Sequence, residues 1–365
     1  MFVTARRWLV LACADSLNKM ESTLAQNQQR DERIDLLRFI GLAMVILAHV
    51  YPPMWLAQLR NFDVPLMVLV SALSFSASVK QESYGQYVWA RIKRLVFPVW
   101  LFLSLLFAVQ WAFAYPTALP DPTKIFRSYT MLDGIGYVWV IRVFLLVALL
   151  APFIYRFHLR TPSNAQYFRV LLLWYLAYEV TVAMVLPELT GQVRTILRNT
   201  LFDAVPFAIL FGLGLRIPAM SRTELLRFLA VFTAVFVLIA AWFFWQNGAF
   251  QRTQMFKYPP QHYYLAYALM CAFALWLAAE PLLRLLRAAK LIDFVMFAGS
   301  NSIWIYLWHI FFLQVLVQDW GVKYLMVFAG SALVTWAQVS LIQRYWLPRI
   351  TNAATKRNVR ALLTG

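Results

Sequence analysis

The chain is poor in charged residues, which make up only 13% of its 365 residues. Soluble domains of ordinary composition carry roughly 25% charged residues. Hydrophobic residues account for 62% of this chain, and its mean hydropathy is +0.63. This composition excludes a soluble fold and predicts an integral membrane protein.

Cysteine and acidic residues are also scarce. Cys13 and Cys271 lie far apart in dissimilar settings, which excludes a disulfide framework and a cysteine-based metal site, and we expect no bound metal. The 33 Lys and Arg residues exceed the 16 Asp and Glu residues, for a net charge of +17. Because the basic residues are spread through short gaps between apolar runs, they indicate membrane topology and not a nucleic-acid-binding surface.

Apolar runs long enough to cross roughly 30 Å of membrane hydrocarbon as helices recur along the chain. Ten such runs lie near residues 36–50, 62–79, 95–115, 137–155, 170–187, 201–217, 228–246, 262–279, 294–317 and 323–342. The aromatic content of 17%, with 15 Trp, suits a protein with two membrane–water boundaries. We therefore predict an all-α integral membrane protein, a bundle of about ten transmembrane helices.

The distribution of Lys and Arg among the connections predicts the orientation. If the N-terminus is cytoplasmic and the chain crosses at every run, 23 of the 33 Lys and Arg residues lie on the cytoplasmic side and 8 on the opposite side. Cytoplasmic connections of membrane proteins are enriched in these residues, so we expect both termini in the cytoplasm and an even number of spans. The expected location is the cytoplasmic (inner) membrane.

The chain is expected to contain one membrane domain with a short segment at each end. Residues 1–30 form a polar leader segment outside the core, with translation starting at Met20, because their apolar stretch barely reaches signal-peptide length. Residues 31–345 form the transmembrane domain. Residues 346–365 form a basic cytoplasmic tail.

The first span contains two ionisable residues, Arg38 and His49, which are costly inside a membrane and therefore candidates for function. Their separation of eleven residues puts both side chains on one helix face, roughly 16 Å apart along the axis. Arg38 lies near the cytoplasmic edge and His49 toward the outer edge. The alternative is an Arg that extends to the interface and an interfacial His beside Tyr51 and Trp55.

Arg91 and Arg94 precede the third span on the predicted cytoplasmic side. Residues at i and i+3 share a helix face, so both guanidinium groups could bind one polyanion. The alternative is a purely topological role, because cytoplasmic connections commonly contain such clusters.

The ninth span contains a polar stripe of Ser302, Tyr306 and His309, at i, i+4 and i+7. Such a stripe must face the bundle interior or a water-filled cavity. It indicates either a functional site or hydrogen bonds that hold helices together.

Outside the membrane, Lys257 and Tyr258 belong to a segment of polar and aromatic residues with a Pro pair. Tyr rings with nearby polar groups suit a carbohydrate-binding surface, and they equally suit an interfacial aromatic belt. The sequence leaves open the roles of other polar residues near the same side, namely Arg142, Glu188, Asn199 and Asp203.

These residues, in this order, resemble the motifs of the acyltransferase-3 family. The corresponding segments are Asp35-x-x-Arg38 with His49, Arg91-x-x-Arg94, Lys257-Tyr-Pro-Pro, and Ser302 to His309. The resemblance covers most of the chain, from about residue 30 to about residue 345. The second span of the family usually carries a Phe-Phe pair and a Ser-Gly pair. Here that stretch retains Ser71 and lacks the aromatic residues and the Gly.

Members of this family are multispan enzymes that move acyl groups, usually acetyl from cytoplasmic acetyl-CoA, onto sugars of exported glycans. The resemblance therefore implies an O-acetyltransferase that acts on a hydroxyl of an exported or lipid-linked saccharide, as in exopolysaccharide biosynthesis. It implies catalytic roles for His49 and Arg38 and donor binding by Arg91 and Arg94. The expected partners are acetyl-CoA, the saccharide and the lipid bilayer, with no nucleic acid and no bound cofactor.

Acyl transfer from a thioester to a hydroxyl requires removal of the hydroxyl proton, stabilisation of an oxyanion and proximity of the two substrates. We assign His49 to the role of base or acyl relay. The candidates for contacts with the acceptor or the oxyanion are Ser302, Tyr306, His309, Lys257 and Tyr258. A transporter or flippase of lipid-linked saccharide is the alternative function, since it would use the same polar interior as a pathway.

Overall fold

The computed structural model describes residues 31–77, 82–115, 120–132 and 134–364. Throughout these residues the secondary structure is helical, without a β-strand. The predicted leader 1–30, with Met20 and Cys13, lies outside the described residues.

The helices are numbered here in chain order, with short helical turns left unnumbered. They are α1 (Glu32–His49), α2 (Met54–Leu59), α3 (Asp63–Ser76), α4 (Tyr84–Phe113), α5 (Pro122–Tyr129), α6 (Trp139–Arg160), α7 (Asn164–Val185), α8 (Gly191–Leu197), α9 (Asp203–Arg216), α10 (Arg222–Asn247), α11 (His262–Ala288), α12 (Ile292–Ser300), α13 (Ser302–Val315), α14 (Trp320–Leu341) and α15 (Ala353–Leu363).

In the described part of the chain, eight helical segments are long and apolar enough to cross a membrane, and the bent pair α12–α13 makes a ninth if it is one span. The α2–α3 and α8–α9 segments each count as one of the eight. Helix α1 is not among them because four charged residues, Glu32, Arg33, Asp35 and Arg38, lie in its first two turns. Its remaining residues are apolar up to His49. The prediction of an all-α membrane bundle is confirmed.

Helices α1, α3 and α9 form the centre of the bundle. Helix α3 packs against both α1 and α9, while α6 covers α9 and α12 covers α1. Most residues of α9 are buried, whereas α10 exposes large apolar side chains such as Leu238, Trp242 and Trp245. An exposed apolar helix face is stable only against lipid, so the membrane explains this exposure.

The two ends of the bundle are called here the first face, where α1 begins, and the second face, where α1 ends. At the first face Arg287 of α11 pairs with Glu32. At the second face the side-chain amide of Gln110 donates to Gln314 across 3.2 Å. Each contact joins helix ends that are distant in sequence, as the predicted alternation of spans requires.

Helix α4 is longer than the predicted third span, because it starts at Tyr84 rather than near residue 95. Its 30 residues extend over about 45 Å, which exceeds the roughly 30 Å of hydrocarbon. Ser83 begins the helix with a capping box to Gln86. Arg91 and Arg94 therefore belong to the same continuous helix as the span.

Helix α15, within the predicted tail, packs back onto the first face. Lys93 of α4 donates to Asn358 across 3.0 Å, and Trp304 donates to the carbonyl of Leu362 across 3.1 Å. The side chain of Gln338 donates to the carbonyl of Leu363. These bonds attach the end of the described chain to α4, α13 and α14.

The ninth predicted span, 294–317, is a broken helix in the structure. Its two halves, α12 and α13, meet at 85° around Asn301. The side chains of Ser300 and Asn301 both bond the carbonyl of Phe297, at 3.0 and 2.8 Å. Such local side-chain bonds compete with helix continuation and explain the break.

The bend brings the backbone of Gly299 against α1. A Cβ atom on Gly299 would lie 2.4 Å from the carbonyl oxygen of Asp35, a distance that real Cβ contacts do not reach. Only glycine fits this approach without moving one of the two backbones.

We expect Gly299→Ala to destabilise the protein by about 1–3 kcal/mol, because overpacking against backbone cannot be relieved by side-chain rotation. The apparent unfolding temperature of the purified protein in detergent should fall. Gly85→Ala is the matched control, since nothing lies within 4 Å of a Cβ there. Equal melting of the two variants would contradict the close approach of α12 to α1.

The chain direction and the Lys and Arg bias together predict the orientation of the two faces. A reporter fused after Leu363 and one placed before Asp31 should both report the cytoplasm. One inserted at Asn247, at the end of α10, should report the outside. Opposite locations for the two ends would show that a span has been miscounted.

Candidate functional site

Two histidines from distant parts of the chain meet inside the bundle. His49 ends α1, and His309 lies in the middle of α13. Nδ1 of His49 is 2.9 Å from Nε2 of His309, and the rings stack with centroids 5.1 Å apart. His309 is completely buried, whereas His49 is partly exposed. The sequence named both residues but did not place them in contact.

The hydrogen bonds of the pair assign its tautomers. Nδ1 of His309 bonds the carbonyl oxygen of Tyr306, which can only accept, so this nitrogen carries the proton. In neutral His309, Nε2 is then an acceptor, and Nδ1 of His49 must donate to it. The remaining nitrogen of neutral His49, Nε2, consequently has a free lone pair.

Tyr306 supports this arrangement through its backbone and its side chain. Its hydroxyl donates to the carbonyl of Tyr137, whose ring contacts His49 edge-on with centroids 4.9 Å apart. The hydroxyl proton of Tyr306 is thus engaged in holding the segment before α6. This geometry favours a positioning role for Tyr306 over donation to an oxyanion.

A buried network of charges lies beside the histidines. Asp63, the first residue of α3, accepts from Arg60 at 2.6 Å and from Lys257 at 3.1 Å. Lys257 also donates to Asn61 at 3.3 Å. Burial lowers the pKa of Lys257 from its usual value, and the Asp63 carboxylate opposes that shift. All four side chains are at least nine-tenths buried.

The same region attaches the loop before α11 to the α2–α3 segment. The side chain of Gln58 accepts from both the backbone N–H and the hydroxyl of Thr253, each at 3.0 Å. The amide of Asn61 donates to the same hydroxyl across 2.8 Å. Sequence analysis missed Arg60, Asn61 and Asp63. The i,i+3 pairing of Arg60 with Asp63 in an apolar segment was the available signal.

These groups surround a cavity of about 140 Å³. Its walls come from α1, the α2–α3 segment, the start of α6, the loop before α11 and α13. The site residues that line it are His49, Arg60, Asp63, Trp139, Lys257, Tyr258 and Tyr306. Four predicted candidates therefore share one cavity, with His309 directly behind His49. In the described part of the chain no group of His, Cys, Asp or Glu residues could hold a metal ion.

Arg38 lies at the opposite end of α1 from His49 and bonds three groups among the described residues. It donates to Asp35 at 2.7 Å, to Ser74 at 2.6 Å and to the carbonyl of Gly299 at 3.5 Å. Ser74 was not recognised from the sequence. The hydroxyl of Ser71, the residue that matched the family, instead donates to Val68 within its own helix. Arg38 therefore joins α1, α3 and α12 near the first face.

Besides Arg38, three predicted residues lie away from the histidines. Ser302 is the first residue of α13, two turns from His309 and next to the bend. Arg91 lies toward the first face, where its guanidinium covers the ring of Tyr87 at 4.8 Å. Its Nε is buried, with no hydrogen-bond partner among the described residues. Arg94, one turn further along α4, is exposed.

Comparison with protein families identifies the chain. The model of the acyltransferase-3 family, described as an acyltransferase domain, matches residues 31–342. Comparisons with curated proteins and with solved structures give no match. The matched range contains α1 through α14 and includes both histidines and the buried charges. The chain therefore belongs to the acyltransferase-3 family and is a multispan membrane protein with an acyltransferase domain.

Proposed function

We propose that the protein transfers an acetyl group from cytoplasmic acetyl-CoA to a hydroxyl of an exported or lipid-linked saccharide. The observation that carries this proposal is the His49–His309 pair, in which His49 has a free lone pair beside a polar cavity. The family match supports the reaction class. The acetyl donor and the saccharide acceptor are the specific parts of the proposal.

In this mechanism Nε2 of His49 removes the proton from the accepting hydroxyl. The hydroxyl oxygen forms a bond to the thioester carbon, and the resulting tetrahedral oxyanion collapses with cleavage of the C–S bond. The CoA thiolate leaves and takes the proton from His49, so the enzyme returns to its starting state. General base catalysis of this kind supplies roughly 10²–10⁴-fold in rate.

His309 has a positioning role. Its Nε2 accepts from Nδ1 of His49 and so selects the tautomer that keeps Nε2 of His49 unprotonated. When His49 takes the proton, the same bond stabilises the imidazolium. Orientation of a histidine base by a second hydrogen-bonding group follows the logic of hydrolytic triads.

Lys257 is the candidate for stabilising the oxyanion. Its ammonium lines the cavity with His49 and is fixed by Asp63 and Asn61. A preorganised cation in a dry site stabilises developing negative charge without reorganisation during the reaction. Tyr258 lies on the same cavity, next along the chain.

The donor enters from the first face in this proposal, which is then the cytoplasmic side of the inner membrane. Arg91 and Arg94 bind phosphates of CoA, assisted by Arg38. Arg91 and Arg94 lie one turn apart on α4, which supports this role, because residues at i and i+3 share a helix face and can bind one phosphate together. Arg38 and His49 lie on one helix roughly 16 Å apart along the axis, and the CoA arm bridges that distance.

We expect His49→Gln to lower the transfer rate by about 10²–10⁴-fold, because glutamine cannot take the hydroxyl proton. Acetyl transfer to saccharide is measured by mass spectrometry of glycans from cells that express each variant. Acetyl-CoA hydrolysis by the purified protein is measured in parallel, since a flippase should show none. His158→Gln, the same substitution in α6, is the matched control and should keep full activity.

His309→Ala should cause a smaller loss than His49→Gln, since it removes the orienting acceptor but leaves the base. Protein level and acetyl-CoA binding should be normal in both variants. An inactive His309→Ala together with an active His49→Gln would reverse the assigned roles.

Arg91→Ala should raise the acetyl-CoA concentration needed for half-maximal rate by about 10- to 100-fold, the effect of losing one charge-assisted contact of about 1.5–3 kcal/mol. The limiting rate should change less. Arg160→Ala, at the first-face end of α6, is the control. It tests whether the loss of any basic residue at this face raises the acetyl-CoA requirement. An unchanged donor requirement in Arg91→Ala would return the Arg91–Arg94 cluster to a topological role.

A further inference from the structure

A second cavity adjoins the histidine site on the side of the second face. It has a volume of about 380 Å³, within the range of roughly 300–1,000 Å³ that is usual for small-molecule sites. Trp139 and Tyr258 line both cavities and form their shared wall. The two rings meet edge to face with centroids 5.2 Å apart. A molecule in the second cavity would thus lie one aromatic layer from His49.

The floor of this cavity holds a buried ion pair. Arg142 donates to Asp203 at 3.1 Å and to the carbonyl of Met131 at 2.6 Å. The two charged residues are only 7% and 4% exposed, although both line the cavity. Nε of Arg142 has no hydrogen-bond partner within the described residues. Burial of an ion pair is costly, and polar groups of a ligand in the cavity would offset part of that cost.

A π-helical turn shapes the opposite wall. The turn spans Arg198–Phe202, between α8 and α9, and presents Arg198 and Asn199 to the cavity. The hydroxyl of Tyr178 donates to Phe202 at 3.2 Å and to Pro260 at 2.9 Å, which joins this turn to the loop that carries Tyr258. Single π turns within α-helices occur often at functional sites.

The charge of the lining indicates the chemistry of the ligand. Arg142 is neutralised by Asp203, whereas Arg198 is exposed and has no ion pair in the described part of the chain. Among the described residues that line the cavity, Arg198 is therefore the charged one without an ion pair. The other polar side chains of the lining are those of Arg142, Asn199 and Asp203, whose planar groups can donate to or accept from sugar hydroxyls. The aromatic rings of Trp139 and Tyr258 lie beside them.

We propose that this second cavity binds a sugar ring of the acceptor saccharide next to the ring whose hydroxyl reaches His49, and that Arg198 selects a ring with an anionic substituent. Arg142 and Asp203 contact ring hydroxyls, while Arg198 binds a carboxylate or a phosphate on the ring. The designation of this ring as part of the acceptor rests on the proposed function. Binding of the anionic sugar does not, and it is tested separately.

The first experiment measures binding without any acyl donor. Saturation-transfer NMR of the protein in nanodiscs is recorded with methyl glucoside, methyl glucuronoside and glucose 1-phosphate as probes. We expect saturation transfer to one or both anionic probes and little saturation transfer to the neutral glucoside. Preference for the glucuronoside would identify a carboxylate ligand, and preference for the sugar phosphate would identify a phosphorylated or lipid-linked one.

Arg198→Gln should weaken binding of the preferred anionic probe by about 10-fold through loss of a charge-assisted contact. Arg198 is exposed, so the variant should fold normally. Arg194→Gln is the matched control, since Arg194 lies one turn earlier, is also exposed and does not line the cavity. Equal effects of the two variants, or equal binding of neutral and anionic probes to the unmodified protein, would overturn the proposal.

The second experiment measures turnover and separates this inference from the proposed function. Arg198→Gln should raise the acceptor concentration for half-maximal transfer by about 10-fold. If the unmodified protein binds the anionic sugar but neither hydrolyses acetyl-CoA nor transfers acetyl, the proposed function fails while the sugar site stands. If transfer occurs and Arg198→Gln alters no acceptor requirement, the subsite assignment fails.

Discussion

Polar side chains inside a membrane-spanning bundle must find partners within the protein, because lipid offers none. This constraint organises the centre of the structure. Asp63 is bonded by both Arg60 and Lys257, and the two histidines bond each other. The Lys257–Asp63 and His49–His309 contacts each join segments that are distant in the chain. The loop before α11 is held against the α2–α3 segment for this reason, and it brings Lys257 to the cavity.

Helix α1 connects the two ends of the site, with Arg38 near its start and His49 at its last residue. Its charged first turns are bonded to Ser74 of α3 and approach the backbone of Gly299, while its last residue contacts α13. The break at Asn301 allows α12 and α13 to contact opposite ends of α1. The bend is therefore part of the construction of the site.

The proposed reaction needs a donor from one side of the membrane and an acceptor from the other. The structure has chemistry suited to each task at opposite ends: basic residues of α4 toward the first face, and two adjoining polar cavities toward the second. The histidine pair borders the smaller of these cavities. In the proposed reaction the acyl group passes from donor to acceptor at this base, and no continuous water channel is needed.

The sequence by itself determined the class of the protein, because apolar run length and composition are local properties that a membrane imposes directly. It also put Arg38 and His49 on one helix face, and Ser302, Tyr306 and His309 on another, since helix periodicity is local. Only the tertiary structure decided which polar groups meet. The His49–His309 contact joins residues 260 apart, and the Lys257–Asp63 pair joins residues 194 apart. Helix packing sets such contacts, and no local spacing encodes them.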